Sequence, residues 1–131
     1  MKKTKIGPET KRVPVGDLAI RVLAMPANTN PNGDIFGGWV LSNMDLAGAL
    51  EARKYTSNRV VTVAVDSMSF IAPVHVGDAV CCYAKMIAVG NTSIKIAIET
   101  WASHKANTRH IVTEGVFTYV AIDANGRPTK L

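Results

Sequence analysis

Cysteine is scarce in this sequence, and its placement excludes a disulfide-stabilised protein. The 131 residues contain two cysteines, which are neighbours in the chain, Cys81 and Cys82. Their α-carbons are about 3.8 Å apart across a trans peptide bond, closer than the roughly 4.4–6.8 Å that a disulfide spans. Two free thiols, and basic N-terminal residues that lead into no uninterrupted apolar stretch, predict a protein of the reducing cytoplasm.

Long apolar runs are also missing. No stretch approaches the roughly 18 residues that a membrane-spanning helix needs, because Arg21 and Asp45 interrupt the best candidates. Ten glycines and six prolines in 131 residues are ordinary usage and exclude a low-complexity chain. The length and a hydrophobic content of 47% predict one globular domain without a membrane span.

Aromatic residues make up only 6% of the chain, and positive charge is concentrated at one end. Five of the 15 basic residues and one of the ten acidic residues lie in residues 1–12, so this segment carries +4 of the net charge of +5. The remainder has no basic stripe interleaved with aromatic residues, the pattern that binds nucleic acids. We therefore expect no nucleic-acid partner. The rival hypothesis, a basic nucleic-acid module, predicts salt-sensitive binding that disappears without residues 1–12.

The usual signatures of several enzyme classes are absent. The sequence has no Gly-x-Ser-x-Gly nucleophile motif and no Gly-rich phosphate-binding motif. The three histidines, His75, His104 and His110, are not spaced as metal ligands. We expect no metal site, and we expect inert thiols at Cys81 and Cys82.

Hydrophobic periodicity predicts an α+β domain. A strand at 17–25 is followed by an Asn- and Gly-rich loop, NTNPNGDIFGG at 28–38, and by one helix at 39–55. Four strands follow at 59–70, 78–89, 92–103 and 109–123, and their short connections favour an antiparallel meander. The predicted organisation is a basic tail at 1–16, one domain at 17–126 and a short tail at 127–131.

The predicted helix is apolar or small around most of its circumference, which indicates a helix wrapped by the sheet. The strand at 59–70 also carries apolar residues on both faces. Because one helix covers only one face of a sheet, the second face predicts contact with another copy of the chain.

Asp45 is the exception in this apolar helix. A buried carboxylate costs several kcal/mol unless partners stabilise it, so its presence indicates either a general base or a structural aspartate. In the structural case it is held by the backbone or an arginine, or lies on a single solvated stripe of the helix.

The glycine pair Gly37–Gly38 precedes the helix. Amides at a helix N-terminus favour negative charge, so this entrance is a candidate oxyanion site; the alternative is close packing of the loop. Gly37 and Asp45 are eight residues apart, or about 12 Å along a helix. This distance predicts that a second protomer supplies part of the site.

Two segments carry a family resemblance, NTNPNGDIFGGWVLSNMDLAGA at 28–49 and RVVTVAVDSMSFIAPVHVGDAVCCYA at 59–84. They resemble the hotdog-fold acyl-CoA thioesterases, in particular the bacterial YciA-type group of fatty acid metabolism. The resemblance covers residues 17–126. It implies one long central helix wrapped by an antiparallel sheet of about five strands, in a dimer or a trimer of dimers with sites between subunits.

The resemblance also implies roles for individual residues. Asp45 is implied as the catalytic acid that activates water or attacks the thioester, and Gly37 or Gly38 as the oxyanion amide. Asn30 is implied as the loop asparagine that places water and carbonyl, with Asn28 and Asn32 as alternatives. The hairpin residues implied to line coenzyme A are Gly90, Asn91, Thr92, Ser93 and Lys95.

The implied function is hydrolysis of acyl-CoA to a free acid and coenzyme A, with no cofactor. Two rivals are weighed against it. A hotdog dehydratase generally depends on a histidine beside the site, and residues 1–74 contain none. A non-catalytic acyl-CoA sensor or carrier would keep the pocket and the oligomer but show no turnover.

Overall fold

One long helix packs against one face of a five-stranded antiparallel sheet in a computed structural model, which describes residues 12–131. The elements are β1 (Asp17–Leu23), α1 (Gly37–Ala52), β2 (Arg59–Phe70), β3 (Ala79–Val89), β4 (Ser93–Lys105) and β5 (Thr108–Ile122), with a 3-10 turn at Pro26–Asn28. The predicted α+β layout is confirmed. Within the described range, no helix is long and apolar enough to cross a membrane.

The strand order differs from a simple meander. The sheet runs β1-β3-β4-β5-β2, so only β3, β4 and β5 are joined as neighbouring hairpins. β2 pairs with β5 instead of β3, because the connection at 71–78 crosses from one edge of the sheet towards the other. This arrangement makes β2 an edge strand, and it places the start of β2 beside the end of β5.

Alternating side chains form the core between α1 and the sheet. Ile94, Ile96 and Ile98 are buried, as their period-two spacing predicts. They pack with Met44 and Ala47 of the helix. Apolar burial of this kind is the main stabilising contribution to the fold.

The sheet packs against one side of the helix, as the hotdog fold predicts, and the opposite side is left open in the single chain. Its buried residues lie towards the sheet, whereas Leu41, Leu46 and Leu50 are 36%, 58% and 44% exposed. One five-stranded sheet reaches only one side of a helix. Leu46 and Leu50, four residues apart on the side away from the sheet, therefore remain accessible in the single chain.

Both segments assigned to tails by the sequence contact the sheet where the structure describes them. Arg12 forms ion pairs of 3.1 Å with Glu99 and Glu114, and the Val15 N–H donates to Glu99. At the C-terminal end, the Thr129 N–H donates to the carbonyl of Ala121 in β5. Residues 1–11 of the predicted tail lie outside the described residues.

Candidate active site

Two hydroxyl groups hold the carboxylate of Asp45. Its Oδ1 accepts hydrogen bonds from Thr62 Oγ1 at 2.6 Å and from Tyr119 Oη at 3.1 Å. Asp45 is half-buried near the middle of α1. Among residues 12–131, no arginine or lysine forms an ion pair with it. The structural alternative of an arginine-paired aspartate is therefore wrong for this chain, and Oδ2 has no recorded partner within that range.

The sheet brings the two hydroxyls together. Thr62 lies on β2 and Tyr119 lies on β5, and they are direct partners in the antiparallel ladder. Directly opposite residues project from the same face of a sheet, here the face that carries α1. The two side chains therefore converge on one carboxylate oxygen.

The Tyr119 hydroxyl stays protonated and donates a hydrogen bond to Asp45. Its side chain is fully buried, and burial, together with the charge of Asp45 and the hydrogen bond to it, raises the pKa of the Tyr119 phenol well above its usual range. Because the phenol stays protonated at neutral pH, its O–H donates to Asp45 under all ordinary conditions.

Gly37 and Gly38 form the first turn of α1. Phe36 is the N-cap residue and no side chain caps the turn; among the described residues, the N–H groups of Gly37 and Gly38 have no recorded acceptor. A Cβ on Gly38 would meet nothing within 4 Å, and one on Gly37 would meet only the ring of Phe70, at 3.6 Å. The alternative of close loop packing is therefore wrong within one chain, and the amides are open to approach.

The Asn-rich loop is organised by its own side chains. Asn30 Oδ1 accepts the N–H groups of Asn32 and Asp34 at 2.9 and 3.0 Å, and Asn28 Oδ1 accepts the N–H of Met25. The loop is also tied by a bridge between Thr29 and Ile35. In the described part of this chain, no hydrogen bond joins Asn30 to Asp45.

The hairpin implied to line coenzyme A joins β3 and β4. The Gly90 N–H donates to the carbonyl of Ser93 at 2.8 Å, and the carbonyl of Thr92 accepts from Ala121. Lys95 is exposed. The hairpin ends next to Ile94, the ladder partner of Tyr119. Within residues 12–131, no hydrogen bond or ion pair joins these residues to Asp45.

Thr62 and Tyr119 are absent from the sequence-based site. They lie 17 and 74 residues from Asp45, and no local pattern links them to it. The only available signal was Gly48, which shares a helix face with Asp45, although sequence alone does not show what approaches that glycine.

Other features of the described chain lie away from Asp45. A groove of about 840 Å³ on the outer face of the sheet is lined by residues that include Arg21, Cys81 and Trp101, and it does not include Asp45. Across residues 12–131, no group of three or more His, Cys, Asp and Glu side chains is placed to hold a metal ion. Cys82 is buried, and burial raises the pKa of its thiol to about 11.

Comparison with known proteins identifies the family to which this chain is similar. The model of the thioesterase superfamily matches residues 32–107. The acyl-CoA thioester hydrolase YciA of Escherichia coli is 52% identical over 126 residues, which cover 93% of this chain and 96% of that protein.

Solved structures agree with the fold. HI0827, a hexameric broad-specificity acyl-coenzyme A thioesterase, has a TM-score of 0.86 at 52% identity, covering 91% of this chain and 83% of that one. It has also been solved with one aspartate replaced by alanine. A hexameric hotdog-fold thioesterase of Campylobacter jejuni has a TM-score of 0.82 at 42% identity, covering 88% and 90%. The predicted hotdog fold is thus confirmed.

Proposed function

Since the chain belongs to the thioesterase superfamily, we propose that it hydrolyses acyl-CoA thioesters. Water is consumed, the carbon–sulfur bond breaks, and the products are a carboxylic acid and free coenzyme A. The relatives named as acyl-CoA thioester hydrolases support this substrate class. The observation that carries the chemical assignment is a helix carboxylate held through one oxygen by two hydroxyls.

Asp45 acts as the general base in this proposal. Thr62 and Tyr119 occupy Oδ1, and Oδ2 takes a proton from water as the water attacks the thioester carbonyl. The developing oxyanion is stabilised by the open amide of Gly37 or Gly38, at the positive end of the helix dipole. A thiolate leaves readily, so a base and a polarising amide suffice for this reaction.

The complete site requires a second copy of the chain. Gly37 and Asp45 are about 12 Å apart along one helix, and among residues 12–131 no hydrogen bond joins Asn30 to Asp45 within one chain. We assign Asn30 of a facing subunit to placing the water and the carbonyl, and Gly90, Thr92, Ser93 and Lys95 to the coenzyme A moiety. The assembly is a dimer or a trimer of dimers, consistent with the hexameric relatives.

No cofactor takes part in the proposed reaction, so turnover should withstand dialysis against EDTA. The proposed compartment is the cytoplasm, because Cys81 and Cys82 are both free thiols. Residues 1–12 have no role in the proposed chemistry.

The first test follows free thiol release from a panel of acyl-CoAs of increasing chain length. Asp45→Ala should lower turnover by at least about a hundredfold, the scale of a general base, while the oligomer stays folded. Asp17→Ala, at a carboxylate of β1 that is 73% exposed, is the matched control and should leave turnover unchanged.

Different experimental results would contradict different parts of the proposal. Near-wild-type turnover by Asp45→Ala would sink the catalytic assignment. Binding of acyl-CoA with no thiol release at any chain length would identify a sensor or carrier. Single turnover in ¹⁸O-labelled water tests for a nucleophile, because label appears in the Asp45 carboxylate only when an acyl–Asp45 anhydride forms and water attacks it at the Asp45 carbon.

A further inference from the structure

The geometry points to Tyr119 as the positioning residue of Asp45, and to Gly48 as the residue whose missing side chain lets Tyr119 reach it. This inference rests on the proposed function, in which Asp45 is the catalytic base. Tyr119 is fully buried, so it acts on the reaction through Asp45 and not by contact with the substrate.

One hydroxyl ties together the backbone and the side chain of Asp45. Tyr119 Oη lies 2.9 Å from the Asp45 carbonyl oxygen and 3.1 Å from its Oδ1, and its proton is shared between these two acceptors. A donor that bridges both groups restricts rotation of the carboxylate relative to the helix axis. Thr62 Oγ1, at 2.6 Å, holds the same Oδ1 from the edge strand.

The tyrosine ring cannot easily move away. It is fully buried and stacks on Phe117, with ring centroids 6.4 Å apart and planes inclined by 15°. Buried side chains packed at crystal-like density keep one rotamer. The Tyr119 hydroxyl is therefore held at a set position beneath α1, and the carboxylate must adjust to it.

Gly48 provides the space for this approach. It lies three residues after Asp45 on the same helix face. A Cβ at this position would lie 2.7 Å from Tyr119 Cζ and 2.8 Å from Ile98 Cδ1, and it would overlap Tyr119 Oη. Glycine is a poor residue in a helix interior, so its presence here is explained by the close passage of the tyrosine.

The two hydroxyls leave one carboxylate oxygen for chemistry. With Oδ1 held by Tyr119 and Thr62, Oδ2 is the oxygen that takes the proton from water. Loss of the tyrosine hydroxyl should free the carboxylate to rotate, and it removes one of the donors that stabilise its charged form.

The test compares Tyr119→Phe with the wild-type oligomer. Turnover of a good acyl-CoA substrate should fall about ten- to a hundredfold in kcat, the range expected for one hydrogen bond to a charged group. KM should change little. The acid limb of the pH profile of kcat should move to higher pH. Tyr55→Phe is the matched control, because its hydroxyl lies 3.4 Å from Glu51, at the other end of the helix from Gly37.

A second route keeps the test independent of folding defects in Tyr119→Phe. 3-Fluorotyrosine is incorporated into a Tyr55→Phe, Tyr83→Phe variant, so that position 119 carries the only fluorophenol. Fluorine makes the phenol a stronger hydrogen-bond donor. The acid limb of the pH profile of kcat should then move to lower pH, opposite to its movement in Tyr119→Phe. In a separate variant, Gly48→Ala should lower kcat, as Tyr119→Phe does.

The outcomes separate this inference from the proposed function. An inactive Asp45→Ala variant together with unchanged kcat and pH profile in Tyr119→Phe, or with an unmoved profile in the fluorinated protein, overturns the role of Tyr119 alone. An active Asp45→Ala variant overturns both. Opposite shifts of the acid limb in the two tyrosine variants support the role, because a tyrosine that only fills space would not move the limb.

Discussion

Single glycines serve two different purposes on α1. A Cβ on Gly48 would collide with the buried ring of Tyr119, whereas a Cβ on Gly38 would meet nothing within 4 Å. Gly48 is therefore explained by packing inside the chain. No contact inside the described chain explains Gly38, and a bare backbone at this position would allow the ligand of the proposed reaction to come close to its amide.

Gly38→Ala should accordingly separate stability from activity. Alanine forms helices better than glycine by about 1 kcal/mol, so the melting temperature should stay the same or rise. The added methyl group should obstruct the carbonyl oxygen of the thioester and lower kcat/KM by about tenfold or more, below the 10²–10³ of losing an oxyanion donor altogether. Steady-state kinetics and thermal denaturation on the same sample measure both. Unchanged kcat/KM would remove this amide from the proposed oxyanion site.

At the scale of elements, the alternation of side chains along strand β3 places two neighbouring cysteines in different environments. Cys81 is half-buried on the outer face, and Cys82 lies beneath α1 with no exposed surface, 3.5 Å from Thr100 Oγ1. Burial disfavours the thiolate and raises the pKa of the Cys82 thiol to about 11, from an ordinary value of 9.0.

This pKa predicts a pH dependence of stability. Between pH 9 and 11 the unfolded chain has lost the Cys82 proton and the native chain still holds it, so the free energy of unfolding falls as pH rises. Below pH 9 both states hold the proton, and the slope from this group vanishes. The loss should approach about 2–3 kcal/mol by pH 11. Urea denaturation of wild type and Cys82→Ala across this range measures the difference, and equal slopes in the two proteins would contradict the prediction.

At the scale of the whole molecule, the fold of one chain leaves an apolar surface without cover. Leu46 and Leu50, 58% and 44% exposed, lie four residues apart on one side of α1, and Leu46 directly follows Asp45. An exposed apolar patch marks an interaction surface, and hexameric relatives share the fold; in the proposed function, a second copy also completes the site. Burial of this surface and completion of the site are therefore expected to occur in the same step.

Leu46→Lys should then reduce assembly and turnover together, because a lysine ammonium cannot be buried against a partner without a large desolvation cost. Light scattering after size-exclusion chromatography reports the mass, and thiol release reports activity. Val76→Lys is the control, since Val76 is 39% exposed in the connection at 71–78, outside α1 and the sheet. An intact, active oligomer of Leu46→Lys would show that the helix leucines are not part of the interface.

Local sequence patterns predicted the helix and the strands, and they singled out Asp45, the residue on which the proposed chemistry depends. Period-two alternation placed the buried isoleucines of β4, and the apolar run around Asp45 placed the helix within three residues at each end. A carboxylate in such a helix is conspicuous because its burial is costly. These properties follow from the covalent chain and from the periodicity of helices and strands, which are both local.

Only the tertiary structure decided what surrounds that carboxylate. β2 pairs with β5 across the sheet, so Thr62 and Tyr119 meet at Asp45 although they are 57 residues apart in sequence. The exposed face of α1 likewise follows from how far one sheet extends over a helix. Contacts of this kind depend on strand order and register, which are determined by the packing of the whole chain rather than by any local segment, and so the sequence predicted Asp45 but not its partners.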